Sequence, residues 1–354
     1  MNALLSIRDY RHTLILTSLS VVLVISILFS LTIGAVSIPV KEVSILLLQK
    51  IGLFSSIEID STYNVVLNAI RIPRIMMTLL IGASLGVSGA ALQGLFRNPL
   101  VEPSLIGVSS GSAAAVVLVI VFGSVVIPAT GFLHDTVISF SAFVGGLIAT
   151  FLVLKLSNQN FKTNIAVLVL IGVAVNAFAN AIIGLAIFHA NENQLRTFTF
   201  WTLGDLGGAT WEKLFIAAPL LLLSCIVLLF HSHNLNALSL GEAEAFHIGV
   251  DTERTKRLII FFSALAVGVS VSLAGMIGFI GLVVPHVVRV SFFTDNKLVL
   301  PASLLGGALL LLISDVIARV VVRPSELPIG VVTAFIGAPF FMALLMKAKN
   351  KNEI

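Results

Sequence analysis

One cysteine, Cys225, in 354 residues leaves no disulfide framework and no cysteine-based metal site to consider. It sits in an apolar run and reads as a small buried side chain. Charge is equally sparse: Asp, Glu, Lys and Arg make up 11% of the chain, against roughly 25% in a soluble domain. No G-x-x-x-x-G-K-S/T run is present, so the chain has no phosphate cradle and no ATPase of its own. TLGDLGGATW (202–211) lacks a preceding strand and is no dinucleotide site. His231 and His233 would point apart on a helix with no carboxylate or thiol beside them, so no metal centre is expected. No carboxylate falls in the middle of an apolar run; Asp205 and Asp315 lie near predicted outer ends. That argues against a secondary transporter driven by an ion gradient, which needs a charged relay along its path. No catalytic residue and no permanently bound cofactor is expected.

What the chain has in excess is apolar sequence: 58% of residues, with a mean hydropathy of +1.09. This is an integral membrane protein. Its net charge of +4 is scattered over the ends of apolar runs, where membrane topology places it, and does not indicate nucleic-acid binding. Segments 13–36, 72–95, 104–123, 136–154, 164–188, 213–230, 258–275, 278–294, 299–318 and 329–346 each read as a span of the roughly 30 Å hydrocarbon core. The first follows Arg8 and Arg11 and is longer than a secretory h-region of about 7–15 residues, so it reads as a retained helix. The expected fold is therefore all-α, one transmembrane domain of ten helices spanning 1–354. Even span number puts both termini on one side. The cationic clusters Arg254–Arg257 and Lys347–Lys351 identify that side as cytoplasmic.

Ser84, Gly89 and Pro99 recur at a constant offset as Ser270, Gly275 and Pro285, a weak hint of an inverted repeat of the kind many transporters contain. Small residues are dense in GASLGVSGAALQG (82–94), GVSSGSAAA (107–115) and GGLIA (145–149). In lipid such faces hold helices together by close backbone approach.

Between two apolar runs, residues 231–257 avoid a spanning pattern and contain a short helix with both ends marked. Ser239 and Glu242 form a capping-box pattern, and Glu242 and Glu244 favour the positive end of the dipole. Gly249 stands where a left-handed residue would stop the helix, and Asp251 can cap the next one, which begins with Arg254, Lys256 and Arg257. Leu240, Ala243, Ala245 and Phe246 give the short helix an apolar side with little chain to cover it. A capped, partly apolar helix outside the bilayer suggests a docking knob for another protein.

Arg71 and Arg74, at the start of the second span, can snorkel to headgroups or present positive charge to an acidic partner outside. Asp315 and Arg319, at i,i+4, can neutralise each other. Asn176 and Asn180, also at i,i+4, can face a path or hydrogen-bond to a neighbouring helix.

Three longer strings carry a family resemblance. RIPRIMMTLLIGASLGVSGAALQGLFRNPLVEPSLIGVSSGSA (71–113), GMIGFIGLVVPHVVR (275–289) and ELPIGVVTAFIGAPFF (326–341) resemble the signatures of the iron-complex and vitamin B12 permeases of ABC importers. LGEAEAFHIGV (240–250) resembles that family's cytoplasmic coupling segment. The resemblance implies a type II importer permease in the cytoplasmic membrane: a homodimer of ten-span subunits, two ATP-hydrolysing subunits below and a substrate-binding protein above, with ATP used by the partner subunit alone. It also implies that Arg71, Arg74 and Arg319 dock the binding protein. Leu240, Gly241, Glu242, Ala243, Glu244, Ala245, Phe246, His247 and Gly249 would couple to the ATPase, and the turn Ser157–Ile165 would form the inner gate, with Asn164, Asn176 and Asn180 along the path. Arg323 and Pro324 depart from the pattern and leave open which late arginine docks. FWTLGDLGGATW (200–211) and GEAEAFHIG (241–249) look closest to haem permeases, with ferric siderophores and vitamin B12 as alternatives.

Overall fold

The computed structural model describes residues 2–350 except 35, 50–51, 53–56, 58, 124–130, 160–161 and 293. Helix α1 (Asn2–Thr32) is followed by the short α2 (Val40–Gln49) and α3 (Ser61–Val65). A π turn, Val66–Arg71, runs without a break into α4 (Ile72–Phe96). A 3-10 turn (Pro103–Ile106) leads to α5 (Val108–Phe122) and then α6 (Phe132–Ser157). A two-strand hairpin, β1 (Asn158–Gln159) with β2 (Lys162–Thr163), precedes α7 (Ile165–His189). Then come α8 (Glu192–Leu203), α9 (Trp211–Phe230), α10 (Ser232–Leu240) and α11 (Glu242–His247). Helices α12 (Thr252–Ala274), α13 (Ile280–Ser291), α14 (Asn296–Val320) and α15 (Ile329–Asn350) complete the chain.

Helix α4 is the hub. Almost every residue from Pro73 to Leu95 is buried, and α9, α12, α13 and α14 all pack on it. The reason lies in its small-residue face. A Cβ on Gly82 would lie 2.4 Å from the Gly307 carbonyl oxygen, one on Gly86 2.1 Å from that of Ser303, and one on Gly89 1.9 Å from that of Gly281. Only glycine lets α13 and α14 approach so closely, and lipid supplies no hydrophobic drive to replace that contact. Helices α5 and α6 repeat the device, with Gly111 and Gly145 each meeting the other's carbonyl. By contrast, α1 and α7 lie at the periphery, and α7 leaves Leu170, Phe178, Leu185 and Phe188 exposed.

Among the described residues, seven helical runs are long and apolar enough to cross a bilayer; Val108–Phe122, Ile280–Ser291 and Ile329–Ala343 are apolar but shorter. Two of the shortfalls have a local cause. Gly107, at φ 85°, separates the 3-10 turn from α5, so the predicted span 104–123 is divided. Phe279, at φ 69°, starts α13 late, and its 12 residues rise only about 18 Å. Of the positions that recur at a constant offset, Ser84 and Ser270 both lie inside long helices, α4 and α12, while the other two pairs differ in their surroundings. Gly89 lies inside α4 whereas Gly275, at φ 69°, ends α12; Pro99 follows a helix whereas Pro285 lies within one.

Overpacking costs about 1–3 kcal/mol where side chains can shift, and the Gly281 backbone cannot. Gly89→Leu is therefore expected to abolish a monodisperse peak in detergent size-exclusion chromatography. Gly184→Ala, with open space around its Cβ position, is expected to leave elution and thermal melting unchanged.

Candidate functional sites at the two ends of the bundle

The start and end of α4 lie about 37 Å apart for its 25 residues, and polar chemistry gathers at both. At its start, Arg71, Arg74 and Arg319 come together, and all three are buried. Arg74 Nη2 lies 2.8 Å from Asp315 Oδ1, and its Nη1 lies 2.8 Å from Glu326 Oε2. Arg319 Nε stands 3.0 Å from Asp315 Oδ2, so the predicted i,i+4 pair forms and Arg74 joins it. Arg319 also donates to the Ile33 carbonyl at 3.1 Å and to Ser30 Oγ at 2.7 Å, while Arg71 donates to the carbonyls of Leu31 and Val36. Two guanidiniums thus satisfy carbonyls at the C-terminal end of α1, where cations are favoured. The arginines do not snorkel. A fully buried carboxylate, Asp315, needs counter-charge, and unpaired helix-end carbonyls need donors; both draw the side chains inward. Arg323, joined to Pro324 by a cis peptide, is exposed beside them, as is Glu326.

Next to this cluster the C-terminal ends of α8 and α12 meet the start of α15. Asp205 N–H donates to the Ala274 carbonyl at 2.9 Å, and Ile329 N–H donates to that of Gly204 at 3.1 Å. Gly204, at φ 77°, and Gly275 permit the crossing, since a Cβ on Gly275 would lie 2.2 Å from the Trp201 carbonyl oxygen. The junction opens into a groove of about 650 Å³ lined by apolar side chains, among them Met276, Phe279, Val331, Phe335 and Met342. Glu102 Oε1 accepts the Phe279 N–H at 3.1 Å and so holds the left-handed turn at one wall. This carboxylate escaped the sequence reading, which took Asp205 and Asp315 as the ones to weigh. Helix α8 escaped it as well, although Asn191 and Gln194 form a complete capping box that marks its start.

The three asparagines assigned to the path do different things. Asn164 caps α7, accepting from the N–H groups of Ala166 and Val167. Asn176 accepts from Ser110 Oγ and donates to the Ser104 carbonyl at 3.4 Å, tying α7 to α5 and its preceding turn. Asn180 is exposed on α7.

At the other end of α4, α10 is pinned by Leu235 and Leu238, both buried, and by Asn236, which accepts from Asn296 N–H and Nδ2 at 2.9 Å. Helix α11 follows with Gly241, at φ 143°, as its N-cap. The expected Ser239–Glu242 capping box is absent: Ser239 lies in the last turn of α10 and its hydroxyl donates to the Asn236 carbonyl at 2.6 Å. Glu242 instead reaches Lys256 Nζ at 2.7 Å. Lys256 is 1% exposed, and a buried ammonium outcompetes a local cap for a carboxylate. The other end of α11 follows the sequence. Gly249, at φ 89°, donates to the Phe246 carbonyl and Val250 to that of Ala245, a Schellman motif. Asp251 caps α12 through the Arg254 N–H. The apolar side expected of α11 is divided. Ala245 faces inward, whereas Leu240, Phe246 and Ile248 are each 64–70% exposed and face away from the bundle, with Ala243 and His247 also open. Among the described residues, no three His, Cys, Asp or Glu side chains gather as metal ligands.

Residues 22–347 match the FecCD transport family. The hemin transport system permease protein HmuU of Yersinia pestis is 38% identical over 340 residues, covering 96% of this chain and 97% of its own. The cobalamin import system permease protein BtuC of Halobacterium salinarum is 39% identical over 287 residues, covering 81% and 75%. A solved inward-facing ABC transporter, described as of metal-chelate type, superposes with a TM-score of 0.80 at 35% identity over 94% of this chain and 99% of its own.

Removing one partner of a buried ion cluster typically costs about 3–5 kcal/mol. Asp315→Asn, which strands Arg74 and Arg319, is expected to lower the detergent melting temperature sharply. Arg323→Ala is expected to leave it unmoved. Differential scanning fluorimetry of both variants checks this.

Proposed function

The chain belongs to the FecCD transport family, and within it we propose that this protein is the permease subunit of an ABC importer that carries haem across the cytoplasmic membrane. The alignment with the hemin permease along nearly the whole of both chains carries the substrate reading. The groove beside α8 and α15 supports it, because an apolar wall with two methionines suits a flat, largely apolar macrocycle better than a hydrophilic chelate. Vitamin B12 is the second reading, since cobalamin and vitamin B12 permeases match at 38–40% identity. Ferric siderophores follow.

In this reading the seven long helices and the three shorter apolar ones make ten spans of a single domain, with both termini cytoplasmic. Two copies pair around the path, two ATPase subunits dock below and a binding protein delivers substrate above. The chain itself makes and breaks no bonds and holds no cofactor; ATP is used by the partner. Leu240, Phe246 and Ile248 form the apolar knob of the coupling segment, Leu240 to Gly249, that enters a groove on the ATPase. ATP-driven closure of the ATPases moves α11, and the helices rock between outward- and inward-open states past Asn164, Asn176 and Asn180. At the opposite end Arg71, Arg74, Arg319 and Arg323 outnumber Asp315 and Glu326, so the surface favours an acidic binding protein. Arg71, Arg74 and Arg319 set that potential from within, and exposed Arg323 makes the direct contact. An ion-gradient mechanism has little to work with, because Asp315 is clamped between two arginines.

Proteoliposomes containing the permease, its ATPase and internal ATP, with binding protein and haem outside, are expected to accumulate haem. Phe246→Asp is expected to abolish accumulation while leaving elution and melting normal. Cobalamin accumulation in place of haem would correct the substrate, and uptake indifferent to ATP would overturn the importer reading. Arg323→Glu is expected to weaken binding-protein affinity about tenfold, the size of one well-placed charge pair, measured by surface plasmon resonance.

A further inference from the structure

Lys256 is the largest fully buried side chain of the described residues, and an ammonium at that depth requires an explanation. All three of its N–H groups are engaged. Nζ donates to Glu242 Oε2 at 2.7 Å, to Glu253 Oε1 at 2.9 Å and to the Thr163 carbonyl at 3.2 Å. Glu253 completes the link, because its Oε2 accepts the Thr163 N–H at 2.8 Å. Both backbone groups of Thr163, the last residue of the hairpin ahead of α7, are thus held by one ion pair on the first turns of α12. The third leg of the same lysine reaches the first residue of α11.

The legs differ in strength. The Thr163 and Glu253 contacts are the more sheltered, whereas the Glu242 side chain is half exposed. A cavity of about 390 Å³, lined by Thr163, Asn164, Ala166, Glu242, Glu253 and Lys256, leaves the space between α11 and the head of α7 unfilled by packing. A push on α11 therefore reaches the head of α7 through charge-assisted hydrogen bonds, which are short and direction-dependent.

We propose that Lys256 transmits displacement of α11 to the hairpin and α7, so that movement of the coupling segment and movement of the gate are one event. The proposal rests on the reading of α11 as the ATPase-docking element. Lys256 is a positioning residue: it touches neither nucleotide nor substrate. Its ammonium is suited to the task because three donors on one atom join three segments, and replacing it with an apolar side chain severs all three at once.

The test uses the assembled transporter in a Cys225→Ala background, with a spin label on Ser239→Cys (exposed, leading into α11) or on Ala166→Cys (head of α7), and distances between the two copies measured with and without ATP. In the otherwise unaltered chain both distances are expected to change with nucleotide. In Lys256→Met the α11 distance is expected to change as before while the α7 distance stays fixed. Substrate moved per ATP hydrolysed is expected to fall about tenfold, in the range of an ordinary coupling free energy. Lys256→Arg, which keeps charge and donors, is expected to restore both readouts and shows that the site tolerates substitution. If both labels still move in Lys256→Met, the relay is overturned and the coupling reading stands. If the α11 label does not respond to ATP even in the unaltered chain, the coupling reading falls and the relay with it. Should Lys256→Met elute as aggregate, Glu242→Ala removes the single exposed leg, and unchanged α7 movement in that variant overturns the relay.

Discussion

Backbone-to-backbone contact along α4 is the constraint from which the rest follows. A bilayer rewards apolar surface wherever it lies, so helices in lipid are not driven together by hydrophobicity and must find another source of cohesion. Here it comes from Gly82, Gly86 and Gly89, whose missing side chains let carbonyls of α13 and α14 stand where a Cβ would be. Once those contacts form, the lateral position of α4 is fixed, and with it the position of both its ends. Arg74 in its first turn meets Asp315 on α14, and Gly94 in its last lies against Leu235 of α10 and Asn296 of α14. A rod held so tightly along its length has little room to bend, so motions of the assembly are expected as shifts of helices around α4.

The two ends solve the same problem with opposite charge. Near α1, buried Arg74 and Arg319 share Asp315 and Glu326 while buried Arg71 holds the carbonyls of Leu31 and Val36, leaving positive excess with exposed Arg323 beside it. Near α11, one buried lysine is shared by Glu242 and Glu253, leaving negative excess. Each cluster buries its charges against carboxylates and backbone carbonyls, and losing those partners would cost more than an apolar core. The apolar surface is divided just as unequally. The lysine end presents Leu240, Phe246 and Ile248 beyond the bundle, while the arginine end exposes the smaller Val321 and Val322 and lies beside an apolar groove.

Much of this was legible from the residues, and the failures have a common cause. Apolar runs located the seven helices long enough to cross a bilayer and three shorter apolar ones, since hydropathy is a local property, but not where each helix begins and ends. Gly249 and Asp251 were read correctly because a left-handed stop and an N-cap depend on neighbours in sequence. Ser239 and Glu242 misled for the complementary reason: the local partner was available, but a lysine one helix away offered more. Burial of Arg71, Arg74 and Lys256 was not visible at all, because their partners lie far off in the chain. Phe279 delayed the start of a predicted span through a backbone angle that nothing in its own side chain announces. Helix α8 is readable from Asn191 and Gln194, whose capping box is a purely local signal.

Those long-range partnerships also order events during synthesis. Ser30, at the end of the first helix to enter the membrane, receives its hydrogen bond from Arg319, 289 residues later. Arg74 waits 241 residues for Asp315. Until α14 arrives, Arg74 has only headgroups and water as partners and Arg71 alone serves the end of α1, so α1 and α4 must rest with those ends at the bilayer surface. The last third of the chain then acts as a clasp on the first. A chain cut short before α14 would hold most of its helices yet keep Arg74 unpaired at the membrane surface, a mark by which incomplete copies can be told from finished ones.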